Sequence, residues 1–322
     1  MAAPADHDAL VDQALQGDRR ALARILTAVE NRTPVAEAAL RRLYPLAGKA
    51  HLVGITGPPG SGKSTLVSAL IGAAREGGRA VAVIAVDPSS PITGGALLGD
   101  RVRMQSYATD TDVFIRSMAS RGHAGGLAST STAAAAVLDA AGFDLILIET
   151  VGTGQSEVEV AAAADTTVVL EAPEMGDEVQ AIKAGLLEVA DIVVVNKGDR
   201  PGAQRTASQL RAMLVASSRV ASAGGPGRRP KEPLVMVTTA STGAGVPELL
   251  AALEDHRRKV ASAPDAAARL ARAEAEVWSI VGERVRQRLS GPGHRDETAR
   301  LLRAVAAHEL DPYAAADRLL DS

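Results

Sequence analysis

One stretch narrows the possible folds more than any other: Leu52-Val-Gly-Ile-Thr-Gly-Pro-Pro-Gly-Ser-Gly-Lys-Ser-Thr-Leu66. Residues Gly57 to Ser64 read G-x-x-x-x-G-K-S, the phosphate-binding loop pattern. The apolar run Leu52, Val53 and Ile55 predicts a buried strand before it, and Thr65 to Leu70 predicts a helix after it. A strand–loop–helix context is what the pattern needs to mean more than a Gly-rich turn. Glycines 57, 60 and 62 let the loop bend so that the amides of Gly57, Pro58, Pro59, Gly60, Ser61, Gly62, Lys63, Ser64 and Thr65 line a cradle, Pro58 and Pro59 lending shape but no N–H. Inward amides and a helix N-terminus together favour phosphate oxygens. Lys63 is expected to reach the β- and γ-phosphates, and Ser64 to hold Mg²⁺.

Composition excludes several classes. The chain has 322 residues, long enough for a sizeable core. Aromatics are 2%, so Ala, Val, Leu and Ile must build that core and little surface remains for stacking bases. Net charge is −3, which gives no overall positive field toward nucleic acid or membrane. There are no cysteines, hence no disulfides or thiolate metal sites. Met1 to Asp8 lacks a basic region followed by an apolar core, and no apolar run reaches membrane length. A cytoplasmic protein, binding neither nucleic acid nor membrane, is expected.

Ahead of the loop, residues 6–30 carry helical periodicity, broken at Gly17-Asp18 with Asp18 as an N-cap, and a third helix is expected over 35–43. After it, residues 80–86 predict a buried strand ending in Asp87. Ligands of open α/β sheets sit at the carboxyl ends of strands, so Asp87 is placed to act near Mg²⁺. Residues 93–104 form a Gly-punctuated loop with Asp100, Arg101 and Arg103; a γ-phosphate-sensing switch and a solvated surface loop are both open there. A short strand is expected at 113–116, a Gly-rich loop at 117–126 and an Ala-rich helix at 127–141. The strand 145–148 carries Glu149 at its end, three residues before Gly152. P-loop proteins keep a carboxylate near Mg²⁺ and a glycine amide near the γ-phosphate at this place. Thr153 to Glu157, with Gln155, is a polar segment of the kind that changes with nucleotide state.

A strand at 165–170 leads to an acidic loop, 171–180, and a helix carrying Lys183; an intrahelical partner to Glu178 or Glu188 is the plainer role for that lysine. The second strong signal is Asp191-Ile-Val-Val-Val-Asn-Lys-Gly-Asp199. A buried strand ends in N-K-x-D. The Asp199 carboxylate can accept from guanine N1–H and the 2-amino group; adenine lacks both donors, and would leave the acceptor unpaired. Asn196 and the stem of Lys197 are expected to hold the base and buttress the phosphate loop. Helix is expected over 210–220, a Gly/Pro/basic loop over 221–231 and the last strand over 233–237. Thr239, Ala240 and Ser241 then lie where a backbone N–H meets the base oxygen. From Pro247 the pattern is helical, near 247–260 and 264–289, then a shorter pair with Pro312 opening the last helix. Trp278, Ile280, Val281 and Val285 are read either as a core stripe or as a dimer surface. The expected fold is α/β: a mostly parallel sheet P-loop G domain flanked by helices. The expected division is 1–46 helical, 47–250 GTPase domain and 251–322 a C-terminal helical arm.

Assembled, these strings make the chain resemble the MeaB family, G-protein chaperones of adenosylcobalamin-dependent acyl-CoA mutases once labelled ArgK or LAO/AO transport kinases. The resemblance runs almost end to end. It includes Gly17-Asp-Arg-Arg-Ala-Leu22, Gly99-Asp-Arg-Val-Arg-Met104, Glu149-Thr-Val-Gly-Thr-Gly-Gln-Ser-Glu157, and Gly176-Asp-Glu-Val-Gln180 with Lys183. It implies GTP/GDP and Mg²⁺ as ligands, with Ser64, Asp87, Asp100 and Glu149 around the metal. The candidate catalytic set is Lys63, Asp100, Glu149, Gly152, Gln155 and Lys183. Residues 117–126 and 152–157 would lie in or near switches, and 176–183 in a further switch signalling to the mutase. The C-terminal helices would form a homodimer arm. Three departures stand out: Glu171-Ala-Pro-Glu-Met175 replaces a more apolar, Gly-containing approach, Thr239 stands where Ser is commoner, and Gly198 stands where Ala is common. The last is expected to matter little.

The activity so implied is slow GTP hydrolysis used as a timing device, gating adenosylcobalamin loading and the protection or reactivation of the mutase. No Gln directly follows Gly152, so a preset water-positioning group is missing and the partner is expected to help. Alternatives are a P-loop kinase or ATPase linked to amino-acid transport, a metal-delivery GTPase, and a scaffold that binds GTP without hydrolysis. Asn196 to Asp199 argue for guanine. Against metal delivery, His7, His51, His123, His256, His294 and His308 show no ligand spacing.

Overall fold

Four runs of the chain are almost continuously aliphatic: 81–86, 145–148, 168–170 and 192–195. Such runs have no polar face to offer water and are stable only when covered on both sides, which is the condition of a parallel sheet. The computed structural model describes residues 4–88, 106–107, 109–120, 126–150, 164–173, 187, 189–222, 233–262 and 266–321. Among them the strands are β1 (His51–Thr56), β2 (Val81–Pro88), β3 (Val113–Ser120), β4 (Leu145–Thr150), β5 (Thr166–Glu171), β6 (Ile192–Val195) and β7 (Leu234–Val237). They form one seven-stranded sheet in the order β3-β2-β4-β1-β5-β6-β7. Every pairing is parallel. β3 is longer than its sequence suggested because it pairs with β2 in register as far as Ser120.

Side chains alternate across this sheet, so each strand feeds two layers. On one face Val53, Ile55, Val83, Leu147, Val168 and Val194 pack with α4 (Lys63–Glu76) and α7 (Val246–Ser262). On the other, Ile84, Val86, Ile146 and Ile148 pack with α5 (Gly126–Ala140) and with the N-terminal helices α1 (Pro4–Leu15), α2 (Arg19–Glu30) and α3 (Pro34–Leu43). Farther along that face, Val169, Val193 and Val195 pack with α6 (Ala203–Ser222). α6 begins seven residues before the expected 210 because Ala203, Ala207 and Leu210, at i, i+4 and i+7, are all buried against the sheet.

The N-terminal helices are placed by specific bonds as well as by apolar contact. Asp18 caps α2, accepting from the amides of Arg20 and Ala21 at 2.7 and 3.1 Å. Arg19, in the first turn, donates to the carbonyls of Asp110, Thr111 and Val113 at the entrance to edge strand β3. Arg116 of β3 pairs with Glu30 at 2.8 Å.

The chain divides into two compact units, 1–265 and 266–322. The second comprises α8 (Ala266–Ser290), α9 (Arg295–Ala306) and α10 (Pro312–Leu320). Leu301 and Ala315 are buried there, and Asp311 caps α10 through the amides of Tyr313 and Ala314. Val277, Trp278, Ile280, Val281, Leu302 and Tyr313 are exposed, Trp278 at 65%.

Candidate nucleotide site

The sheet order reverses at β1: β4 and β2 lie to one side of it, β5 and β6 to the other. In open α/β sheets the crevice beyond the carboxyl ends of the strands at such a point is the ligand site. Residues 57–62 leave β1 into that crevice and turn directly into α4.

Two of the loop's glycines are fixed by close approach. A Cβ on Gly57 would stand 2.3 Å from the carbonyl oxygen of Leu170, and one on Gly62 would stand 2.4 Å from Asn196 Nδ2. Both residues also have positive φ, 140° and 96°. The first glycine lets the loop leave β1 tight against β5; the second lets the amide of a distant residue reach the loop. Asn196 Nδ2 donates to Ser61 O at 3.0 Å, and Lys197 Nζ to Gly60 O at 2.6 Å. The N-K-x-D segment therefore braces the phosphate loop through two backbone carbonyls.

The same asparagine faces the other way as well. Its Oδ1 accepts from Ala240 N at 3.1 Å and from Thr238 Oγ1 at 3.2 Å. Gly198 N donates to Thr238 O at 2.9 Å. Residues 196–199 and 238–241 so lie side by side, with Asp199 and Ser241 exposed and Asn196 and Ala240 buried. Thr239 N is held by Ala244 O at 2.9 Å, which fixes the turn that carries Ala240 and Ser241.

At the phosphate end, Lys63 Nζ donates to the carbonyls of Gly57 and Pro58 at 2.8 and 3.1 Å. The ammonium is thus held inside the loop, where a phosphate can compete for it. Ser64 Oγ donates to Glu149 Oε1 at 2.7 Å, and both residues are buried. A hydroxyl and a carboxylate meeting at the first turn of the loop helix are hard oxygen donors of the kind Mg²⁺ takes, so these two residues fit the ion. Glu149, the last residue but one of β4, lies beside Ile55 of β1. Asp87 lies on β2 opposite Ala119 of β3; its side chain is outside the described set. Asp100, Gly152, Gln155 and Lys183 also lie outside the described residues, as do the loops around them.

Two hydroxyl contacts escaped the sequence reading. Thr150 Oγ1 donates to Thr56 Oγ1 at 3.0 Å, both side chains being buried. Thr56 is the last residue before the phosphate loop and Thr150 the last of β4. The bond ties the root of the loop to the root of the 152–157 segment. The second is the Thr238 bond to Asn196. Each threonine sits at or just past a strand end, the one sequence signal by which it could have been found. At Gly198 a Cβ would stand 2.7 Å from Val237 Cγ1.

The geometry is that of a P-loop with a second segment, 196–199, braced against it, and comparison with known proteins names the family. The family model described as methylmalonyl Co-A mutase-associated GTPase MeaB matches residues 22–294. The chain belongs to the MeaB family. It is 46% identical over 315 residues to a protein of Pyrococcus abyssi named as a GTPase, covering 97% of this chain and 95% of that one. The GTPase ArgK of Escherichia coli is 45% identical over 188 residues, 57% of each chain. The mouse methylmalonic aciduria type A homolog, mitochondrial, is 34% identical over 329 residues, 97% of this chain and 78% of that protein. Among solved structures, one titled LAO/AO transport system kinase superposes with a TM-score of 0.68 at 28% identity, covering 100% of this chain and 98% of that one. This MeaB-family chain is accordingly a P-loop GTPase that binds guanine nucleotide. Among its described residues no helix is long and apolar enough to cross a membrane.

Proposed function

We propose that the GTPase cycle of this chain times the handling of adenosylcobalamin by a B12-dependent acyl-CoA mutase, methylmalonyl-CoA mutase or a close relative. The match of residues 22–294 to a family described by its association with that mutase carries the reading. Guanine is read by Asp199, whose carboxylate accepts from N1–H and the 2-amino group, and by the backbone amides of 240–241, which donate to the base oxygen. The phosphates lie on the loop amides of residues 57–65. Lys63 exchanges its carbonyl partners for β- and γ-phosphate oxygens. Ser64 and Glu149, with Asp87 and Asp100, would hold Mg²⁺, which would supply charge neutralisation at the phosphates. Gly152 offers its amide toward the γ-phosphate, and Gln155 with the partner orients the attacking water.

In this reading loops 93–104, 152–157 and 174–183, with Lys183, differ between the GTP and GDP forms and signal to the mutase. Residues 251–322 form the arm of a homodimer, and 1–46 pack as a helical flank. The protein works in the cytoplasm. The bond network of Asn196 supports guanine over the kinase and transport-ATPase alternatives, since it presents Asp199 beside the 238–241 turn.

The test follows transfer of adenosylcobalamin to the apo-mutase by its visible spectrum, with GTP, GDP or a non-hydrolysable analogue present. Transfer that depends on which nucleotide is bound is expected. Equal transfer under all three would overturn the gating role while leaving the GTPase intact.

A further inference from the structure

We infer that Thr150 and Thr56 are positioning residues for the metal end of the nucleotide site: the bond between their hydroxyls keeps Glu149 aimed at Ser64. This role rests on the Mg²⁺ reading of Ser64 and Glu149 given above. Backbone pairing between β1 and β4 runs from His51 and Leu145 to Ile55 and Glu149 and stops there. One position further on, the sheet divides. Thr56 pairs with Val169 of β5, and Thr150 pairs with Val86 of β2. At that rung a side-chain bond joins the two halves instead, Thr150 Oγ1 donating to Thr56 Oγ1 at 3.0 Å. Packing alone does not ask for threonine here. Both side chains are buried, and valine has the same branched shape. A buried hydroxyl is unfavourable unless it is hydrogen-bonded; here the two are bonded to one another.

Successive side chains of a strand point to opposite faces of the sheet. Glu149 follows Leu145 and Leu147 on the face that packs with α4, and Thr150 follows Ile146 and Ile148 on the other. On the α4 face Glu149 Oε1 accepts from Ser64 Oγ at 2.7 Å. Two consecutive residues of β4 therefore hold the two ends of the phosphate loop. Thr150 holds Thr56, the residue before Gly57, and Glu149 holds Ser64, in the first turn of the helix beyond Gly62. The threonine bond uses no atom proposed to meet nucleotide or metal, so it stays in place as the site fills. Losing it lets the end of β4 part from β1, where no ladder pairing follows. The Glu149 carboxylate, one peptide unit away, then shifts off Ser64. A hydroxyl and a carboxylate that share one ion must keep their separation, because Mg²⁺ demands near-ideal octahedral geometry.

The test titrates Mn²⁺, a paramagnetic ion that suits the same oxygen ligands, into the GDP complex of the full-length protein and reads the free ion by electron spin resonance. Thr150→Val and Thr56→Val should each weaken Mn²⁺ by about tenfold or more, the range seen when groups that orient metal ligands are removed. The Mg²⁺ needed for half-maximal phosphate release should rise by a similar factor. GDP affinity in EDTA should stay within about twofold of the parent. Thr150→Ser keeps the hydroxyl and should bind Mn²⁺ within about threefold of the parent. The double valine variant should be no weaker than either single one, since both groups act through one bond. It leaves no orphaned hydroxyl, so it carries the test where a single variant does not fold, and must show the same loss of Mn²⁺. Parental Mn²⁺ affinity in the valine variants, an equal loss of Mn²⁺ and of metal-free GDP binding, additive losses in the double variant, or a loss in Thr150→Ser as large as in Thr150→Val would each overturn the inference. If instead the parent complex takes up no Mn²⁺ and hydrolyses GTP unchanged in EDTA, the Mg²⁺ reading fails and the positioning role fails with it, an outcome distinct from the others.

Discussion

Single side chains at the two ends of the strands do opposite kinds of work. At the carboxyl ends, Lys63 and Asp199 are the residues proposed to meet ligand, and Lys63 Nζ is held by the carbonyls of Gly57 and Pro58. Lys63→Ala should reduce phosphate release by about 100-fold or more, measured under saturating GTP, because a preorganised cation at developing charge is lost. Asp199→Asn exchanges a two-acceptor group for one donor and one acceptor. GDP should weaken by about 10- to 100-fold, and xanthosine diphosphate, whose 2-oxo group accepts where guanine donates, should bind better than GDP in a competition assay. At the amino ends lies a polar chain, with His51 and Thr166 buried and His256 half-buried. His51 Nε2 and His256 Nδ1 both stand 2.8 Å from Thr166 Oγ1, and His256 Nε2 stands 3.5 Å from Asp191 Oδ1. With both imidazoles neutral, one proton order satisfies it: His51 Nε2–H to Thr166, Thr166 O–H to His256 Nδ1, and His256 Nε2–H to Asp191. Burial first, then Arg257, Arg79 and His256, push His51 down to about 3. Its folded value lies below the unfolded one of about 6.5, so the unfolded chain takes up the proton first as pH falls. The stability contributed by neutral His51 is thus whole above that value and is lost on acidification from about 6.5 toward 3, by at most about 1.4 kcal/mol per pH unit. Urea melts at pH 7.5 and pH 5 should show this loss, and His51→Gln should flatten it; an unchanged pH slope in the variant would refute the assignment.

Elements were legible where periodicity and punctuation agree. Gly17-Asp18 divides α1 from α2 as read, because a left-handed glycine at φ 88° and a capping carboxylate are local chemistry. The buried strands and the parallel sheet followed from uninterrupted aliphatic runs, and the loop between β1 and α4 from its glycines. The start of α6 was not legible: its first two turns are polar except at Ala203 and Ala207, whose small side chains read as helix only once the sheet lies beneath them. Nor was the Thr56–Thr150 bond, which joins residues 94 positions apart with no period to announce them. Arg19 shows the same limit. Nothing in its local string announces it, yet it ties α2 to three carbonyls at the start of β3. Arg19→Ala should destabilise the protein by about 1–3 kcal/mol in urea denaturation, since two of the three acceptors are part-buried. No change would mean that water replaces the guanidinium at all three.

For the whole molecule, the sequence placed the expected phosphate and guanine determinants after β1 and β6, and the sheet order brings them to one crevice although they lie 130 residues and more apart. The Ser64–Glu149 contact was foreseeable for the same reason, since both follow a buried strand; which side chains touch within the crevice, such as Thr238 with Asn196, was not. The second unit presents Trp278, Ile280 and Val281 to its surface, and in the proposed dimer this face is covered by a second copy. Trp278→Asp should convert a dimer to a monomer in light scattering while leaving GDP affinity unchanged; a parent protein monomeric at high concentration would contradict the arm. The measurement closest to the central claim is phosphate release from GTP by the purified protein, alone and with the acyl-CoA mutase of the same organism. Slow release alone and strong stimulation by the mutase are expected. Rapid release without a partner, or no response to the mutase, would contradict it.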